Sequence, residues 1–430
     1  MNPKIENAPG LKWRKIKHGW QANWRARGDL VRRGYAFKGC RVWASTPECA
    51  EPGEIAKLFI AQRCQALQDE MLVWARGGIP ELGTYDGTWA SLTRCYKTDP
   101  DSPYRSKEYA TRMHYDALCR RIDQEIGTDR IVDTDARSLL RLHERIIKPD
   151  PEKPGSDPKI SMGHAVIGMM RTITTFGATL LKCPDCRLIR SDLSDMRVKN
   201  GKPREETLTA EQATAIRKTA HTMVKPYRHS LALAQALQFD VGSGMRQKDI
   251  IGAWVPLSEP GVSDVISGNM KWVKGIRAEE IDGDFILRHV TSKRKKLLVA
   301  DLKLSSMVME EFRLRAGLGL TDKLERGHIP TSGPLIINEQ TGEPWESANF
   351  RRAWREIARK CGVPDTVRNM DSRAGAITEA FASGADPDAI RKGATHSSLT
   401  MTQRYSRGDA EATATVAQFR AAHRNKGGTK

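Results

Sequence analysis

"ATHSSLTMTQRYSRGD", residues 394–409, is the stretch on which the reading of this chain turns. It holds His396, then Tyr405 nine residues later, with Arg404 and Arg407 close to the tyrosine. Alone it reads as an ordinary helix and its cap. A single tyrosine is usually half-buried packing. A single histidine is more often a surface or core residue than a reactive one. What the stretch means depends on the other polar residues that the chain can bring to it.

Moving towards the N-terminus, Arg373 in "NMDSRAGAITEA" opens a helix of small residues. Further back, "GDFILRHVTSKRKKLLVADL" has two β-rich arms around a basic turn, which predicts a hairpin. Its tip carries Lys293, Arg294, Lys295 and Lys296. Further still, "GSGMRQKDIIGAW" puts Arg246 at a helix start after Gly242 and Gly244, with Asp249 three residues on. A helix start with an arginine is a ready phosphate site. Each residue alone has a bland reading. In order they run Arg, Lys, Arg, His, Tyr.

That set suits phosphoryl transfer without a metal. Two arginines can fork onto the non-bridging oxygens of a phosphodiester and stabilise the charge that gathers in the transition state. Tyrosine beside arginines is a nucleophile, because nearby positive charge favours its phenolate. A lysine or His396 can protonate the leaving 5′ oxygen. A hydrolase would need an activated water or a cluster of spaced carboxylates around metals, and the sequence offers no such set. Neither metal nor cofactor is expected.

The last ~220 residues resemble the catalytic domain of tyrosine recombinases, the phage integrase family. "SGMRQKDIIGAW" is similar to that family's first arginine box, with Asp249 in a supporting place. "ATHSSLTMTQRYS" is similar to its histidine-to-tyrosine box. The resemblance implies Arg246, Lys293, Arg373, His396 and Tyr405 as catalytic residues, with Tyr405 the nucleophile. Lys295 and Lys296 lie near enough to compete with Lys293 for the lysine role. It further implies a 3′-phosphotyrosine intermediate, action at DNA attachment sites by four protomers, and integration or excision of a mobile element. "DAEATATVAQFRAAHR", after the tyrosine, is the candidate helix for linking neighbours or for packing on its own domain. One departure stands out: the family usually has His three residues before the second arginine, and here that position is Met370.

The rest of the chain is compatible with a DNA partner. It has 430 residues and a net charge of +18, an excess that points to nucleic acid. Residues 1–38 hold ten Lys/Arg against two acids, interleaved with aromatics in "LKWRKIKHG" and "WQANWRAR". With "GYAFKGCRVWAS" these predict three short strands. Ile60, Cys64, Leu67, Met71 and Trp74 then form one apolar helical stripe, ended by Gly77-Gly78 and Pro80. Arg14, Lys15, Lys17, Arg25, Arg27, Arg32 and Arg33 are the candidate DNA contacts here, with Arg294, Lys295 and Lys296 at the hairpin. Residues 82–196 read as all-helical and resemble the family's core-binding domain, while 1–80 resemble its arm-type DNA-binding domain. The expected fold class is therefore mainly α with small β-sheets, α+β. The expected domains are 1–80, 82–196, a linker at 197–206, a catalytic domain at 207–425 and a tail at 426–430. Thr209 with Gln212 predicts a capping box at the catalytic domain's first helix. Ser347 is a candidate N-cap further on.

Eight cysteines scattered through so large a chain read as reduced thiols in a cytoplasm. "KCPDCR" has one CxxC, but structural zinc needs four ligands and no second pair follows at suitable spacing. Two ordinary thiols at a helix end are expected. No apolar run approaches the ~18 residues of a membrane span. The N-terminus has no apolar signal core, which argues against export. The expected setting is cytoplasmic, in a bacterial or phage-encoded system. Two other readings share the scaffold. A topoisomerase of type IB character would nick and reseal one duplex. A catalytically impaired DNA-binding regulator would bind without cutting, and Met370 is the feature in its favour.

Overall fold

The computed structural model describes residues 2–35, 37–46, 49–76, 85–152, 155–198, 201, 203–223, 228–396 and 398–403. The chain divides into two compact units, 1–202 and 203–430, so the boundary falls inside the charged stretch 197–206. It is an α+β mixture of many helices and small antiparallel sheets, as the sequence predicts.

The first unit begins with β1 (Leu11–Ile16), β2 (Gly19–Arg25), a short α1 (Gly28–Arg32) and β3 (Gly39–Ala44), followed by α2 (Glu54–Ala75). The strands pair antiparallel in the order β1-β2-β3. Strand side chains alternate between faces. Ala22 and Trp24 on one face of β2 are fully buried with Ile60, Cys64, Leu67 and Met71 of α2. That is the predicted apolar stripe, with Trp74 packed at its edge. Gly77, Gly78 and Pro80 lie outside the described residues.

The same unit continues with α3 (Trp89–Thr98), α4 (Tyr109–Ile126), α5 (Ala136–Ile147), α6 (Ile160–Thr179) and α7 (Pro184–Asp195). These helices enclose their own core around Trp89, Tyr96 and Phe176. The "KCPDCR" motif stands at a helix end with both thiols free, as the sequence suggests, and it starts α7. Cys183 is the N-cap of α7, its Sγ accepting from the Cys186 N–H at 3.4 Å, and proline fills the first turn. Proline there costs nothing, because that N–H has no helical partner anyway. Among the described residues no helix is long and apolar enough to cross a membrane.

The second unit contains α8 (Ala210–Thr222), α9 (Arg228–Asp240), α10 (Gln247–Ile251), β4 (Ala253–Pro256), β5 (Ile266–Ser267), β6 (Met270–Val273), β7 (Ile286–Val290), β8 (Leu297–Asp301), α11 (Ser306–Arg315), α12 (Ser347–Lys360), α13 (Asp371–Ala382), α14 (Pro387–Gly393) and α15 (Leu399–Gln403). Thr209 and Gln212 form the reciprocal capping box that starts α8. The hairpin β7–β8 forms as predicted, with Val290 opposite Leu297 at its tip end. The β4-β6-β5 sheet was not foreseen, since strands of two to four residues are too short to display alternation. At α12 the N-cap is Glu346 and Ser347 is the first helical residue. The Ser347 hydroxyl instead accepts from Gln247 at 3.0 Å.

A buried polar network sets α13 against α9 and α12. Gln238 and Asn369 exchange two side-chain hydrogen bonds, at 2.9 and 2.7 Å. Gln235 donates to Ser372 and accepts from the Trp354 indole at 2.8 Å. All these side chains are nearly or fully buried, so each lost partner would leave an unsatisfied polar group. The chain entering the unit crosses the same helix. Arg204 forks onto the Asp371 carboxylate, and the Leu208 N–H donates to the Asp371 carbonyl.

Gly375 is the residue that permits this crossing. A Cβ there would lie 1.8 Å from the Leu208 carbonyl oxygen, which is main chain and cannot swing away. Gly375→Ala should therefore destabilise the protein by at least ~2 kcal/mol despite alanine's better helix propensity. Urea unfolding of the variant checks this, and a midpoint equal to or above wild type would contradict the crossing.

Candidate active site in the second unit

The loop from α9 to α10 must reverse sharply, and two glycines let it. Gly242 and Gly244 take left-handed φ of 57° and 75°. At Gly244 a Cβ would lie 2.7 Å from the Gln238 carbonyl oxygen and 3.0 Å from the Cα of Arg373. This close approach brings the loop onto the first turn of α13. Arg246 follows as the N-cap of α10. That helix has only five residues, so its dipole is a minor contributor and the sequence expectation of a helix-start phosphate site rests here on the arginine itself.

Arg373, in the first turn of α13, is held on two sides. Its Nη1 donates to the Gly244 carbonyl and its Nη2 to the Ala394 carbonyl. Nη2 also lies 3.3 Å from Nε2 of His396. An arginine has no acceptor, so the histidine Nε2 is the acceptor in that pair and the ring proton belongs on Nδ1. Nδ1 then donates to Thr402 Oγ1 at 3.0 Å, and Thr402 is fully buried near the end of α15. His396 is 3% exposed. Burial, then the charges of Arg373, Arg246 and Arg294, push its pKa from 6.5 down to about 4. The ring is neutral at pH 7.

Arg246 Nη1 reaches Thr395 Oγ1 at 3.3 Å, bridging 149 positions of sequence. It also lies 3.8 Å from Oδ2 of Asp249. Asp249 is buried, and its Oδ1 accepts from the Ser292 N–H at 2.7 Å. One carboxylate therefore touches both Arg246 and the base of the basic turn. Lys293, Arg294, Lys295 and Lys296 are all exposed. Lys293 directly follows the anchored Ser292, whereas Lys295 takes a left-handed φ of 53°. Arg294 is the tip residue whose charge bears on His396.

The structure thus brings Arg246, Asp249, Arg373 and His396 together and ties the hairpin base to them. Tyr405, Arg404, Arg407 and the segment "DAEATATVAQFRAAHR" lie outside the described residues. Met370 is 63% exposed at the N-cap of α13, one helical turn before Arg373, while neighbouring Asn369 is turned into the core. Thr395 and Thr402 escaped the sequence reading. Nothing in a sequence marks a threonine as the partner of an arginine 149 positions away.

In the first unit, Arg14, Lys15, Lys17, Arg25, Arg27, Arg32 and Arg33 are all exposed, but they do not share one surface. Arg14 and Lys15 are adjacent on β1 and face opposite ways. Arg27 forks onto Asp29, and Lys17 lies 3.8 Å from Glu152. Strand register instead puts Lys12 opposite Asn23 and Arg14 opposite Gln21, on the face away from Trp24. Asn23 is in turn opposite Arg41, whose Nη2 donates to the Gln124 carbonyl at 3.1 Å. Lys12 and Arg41 are basic residues of this face that the sequence reading did not single out.

The fold has solved counterparts. A lambda integrase tetramer bound to a Holliday junction is similar to this chain with a TM-score of 0.51 and 14% identity, covering 94% of this chain and 96% of that one. A lambda integrase dimer bound to a COC′ core site is similar at TM-score 0.50, with the same identity and coverage. No protein-family model matches the sequence, and no curated protein matches it. The fold is the one found in tyrosine recombinases.

The depressed histidine predicts a pH dependence of stability. An unfolded chain protonates His396 near 6.5, whereas the folded chain does so near 4. Between those values the unfolded state holds more protons, so stability rises with pH there. The contribution of His396 is complete above about 6.5 and is lost as pH falls towards 4. Urea midpoints between pH 4 and 7 should have a shallower slope in His396→Gln than in wild type. Equal slopes would place the histidine pKa near its ordinary value.

Proposed function

We propose that this chain is a site-specific DNA recombinase that cuts and rejoins DNA through a 3′-phosphotyrosine. The observation that carries the reading is the convergence of Arg246, Arg373 and neutral His396 on one loop, beside an anchored basic turn. Cationic groups gathered around a partly buried centre suit a phosphodiester anion. DNA-bound lambda integrase structures with the same fold support the choice of DNA as partner, and the Holliday-junction tetramer supports four protomers as the working assembly.

In this reading the two guanidiniums hold the non-bridging oxygens of the scissile phosphate. Tyr405, two residues past the end of α15, attacks phosphorus as its phenolic proton passes to His396 or to water. The P–O5′ bond breaks, and the 5′ oxygen takes a proton from Lys293. Ser292 anchored on Asp249 favours Lys293 over Lys295 and Lys296. A neutral His396 with no proton on Nε2 suits accepting or orienting rather than protonating the leaving group. A 5′ hydroxyl of another strand then attacks the phosphotyrosine, so the phosphodiester energy is conserved and no nucleotide cofactor is required. Insertion or removal of a mobile element is the outcome this chemistry serves.

Met370 supports a second reading. Methionine can neither shuttle a proton nor donate a useful hydrogen bond, and here it stands exposed one turn from Arg373. A DNA-binding regulator would bind a site tightly and form no covalent adduct with any substrate. A topoisomerase would relax supercoils as a monomer at random sequence.

A nicked suicide duplex should trap a covalent protein–DNA adduct, and Tyr405→Phe should abolish it. Arg246→Ala and Arg373→Ala should each slow adduct formation by about 10²–10³-fold. An adduct that survives Tyr405→Phe would remove Tyr405 as nucleophile.

The open face of the β1-β2-β3 sheet gives a separate expectation. DNA affinity should fall steeply with salt, because each phosphate contact releases counterions. Replacing Lys12 and Arg14 with alanine should lower the log–log slope by about 2. A slope unchanged in that variant would clear this face of backbone contacts.

A further inference from the structure

Thr395 is in an unusual conformation for its type. Its φ is +53°, the left-handed region, where a β-branched side chain is strained. It is 7% exposed and lies between Ala394, whose carbonyl Arg373 holds, and His396. A left-handed turn after α14 could be made without strain by glycine. Glycine has no hydroxyl, and the Thr395 hydroxyl is what Arg246 Nη1 donates to at 3.3 Å. Among the described residues, that Nη1 also lies 3.8 Å from Asp249 Oδ2.

We infer that Thr395 is a positioning residue for the proposed strand cleavage, its hydroxyl aiming the Arg246 guanidinium at the scissile phosphate. The inference rests on the recombinase reading for its functional half alone. The backbone is held in a strained turn so that a hydroxyl stands where a flexible arginine needs a fixed acceptor. Arg246 has four side-chain torsions, and one acceptor from the α14–α15 loop restricts them before substrate arrives. The arginine then needs less reorganisation as charge develops on the phosphate oxygens. The same turn presents the Ala394 carbonyl to Arg373, so one strained residue registers both guanidiniums against each other.

Three substitutions separate hydroxyl from backbone. Thr395→Val keeps the β-branch and its strain and removes the hydroxyl. Thr395→Ser keeps the hydroxyl. Thr395→Gly removes both strain and hydroxyl. Adduct formation on a nicked duplex should fall about tenfold in the Val and Gly variants and stay within about twofold of wild type in Ser, with DNA affinity little changed in all three. Stability gives a readout independent of activity. Urea unfolding of Thr395→Val, Arg246→Met and the double variant should be non-additive if the two side chains interact. Additive stability effects overturn the contact. Coupled stability with a wild-type cleavage rate in Thr395→Val overturns the positioning role. If wild type forms no adduct while stability remains coupled, the recombinase reading fails and the Thr395–Arg246 contact stands.

Discussion

Arg373 donates to the carbonyls of Gly244 and Ala394 and to Nε2 of His396. Those acceptors belong to the α9–α10 loop and to the segment after α14, which nothing in local sequence brings together. A guanidinium is planar and carries its donors in a fixed fork, so satisfying two carbonyls at once fixes the gap between the loops. The helix that bears Arg373 is itself fixed by Gln235, Gln238 and Trp354 in the core and by Arg204 on Asp371. Pre-organisation of the site is thus inherited from packing. Moving α13 by even an ångström would break buried polar pairs whose loss is costly.

The electrostatics of the same centre work against the isolated protein. Burial first, and then the charges of Arg373, Arg246 and Arg294, lead the His396 ring to give up its proton. Asp249 is the carboxylate beside Arg246, and one of its oxygens is used on the hairpin backbone. An arrangement of this kind has more to gain from a bound anion than from water, because Arg246 and Arg373 are already partly desolvated and oriented. Met370 shows where the balance differs from the family that the sequence resembles. An apolar, exposed side chain occupies a place where a hydrogen-bonding ring is usual in that family.

Much of the fold was legible in the residues. The α2 stripe of Ile60, Cys64, Leu67 and Met71 is wholly buried. The Thr209–Gln212 capping box and the β7–β8 hairpin form as read. These are local signals, set by side chains a few positions apart. The β4-β6-β5 sheet was not legible, because its strands are too short for alternation and depend on partners already in place. The exact start of α7 was not legible, because its cap is a cysteine, a residue type without strong capping preference. Arg14 and Lys15 looked like one basic patch in sequence but alternate between faces on β1.

By itself the sequence determined the identity and order of the candidate groups: arginine, basic turn, arginine, histidine, tyrosine. Their chemistry needs only residue type, and their spacing survives in one dimension. Tertiary structure alone decided that Arg246, Arg373 and His396 meet, that the ring is neutral with its proton on Nδ1, and that Asp249 ties the turn to Arg246. It alone revealed Thr395 in a left-handed turn beneath the first arginine. The physical reason is that protonation, hydrogen-bond partner and backbone strain depend on what is close in space. Residues 149 apart in the chain become neighbours only after the core has formed.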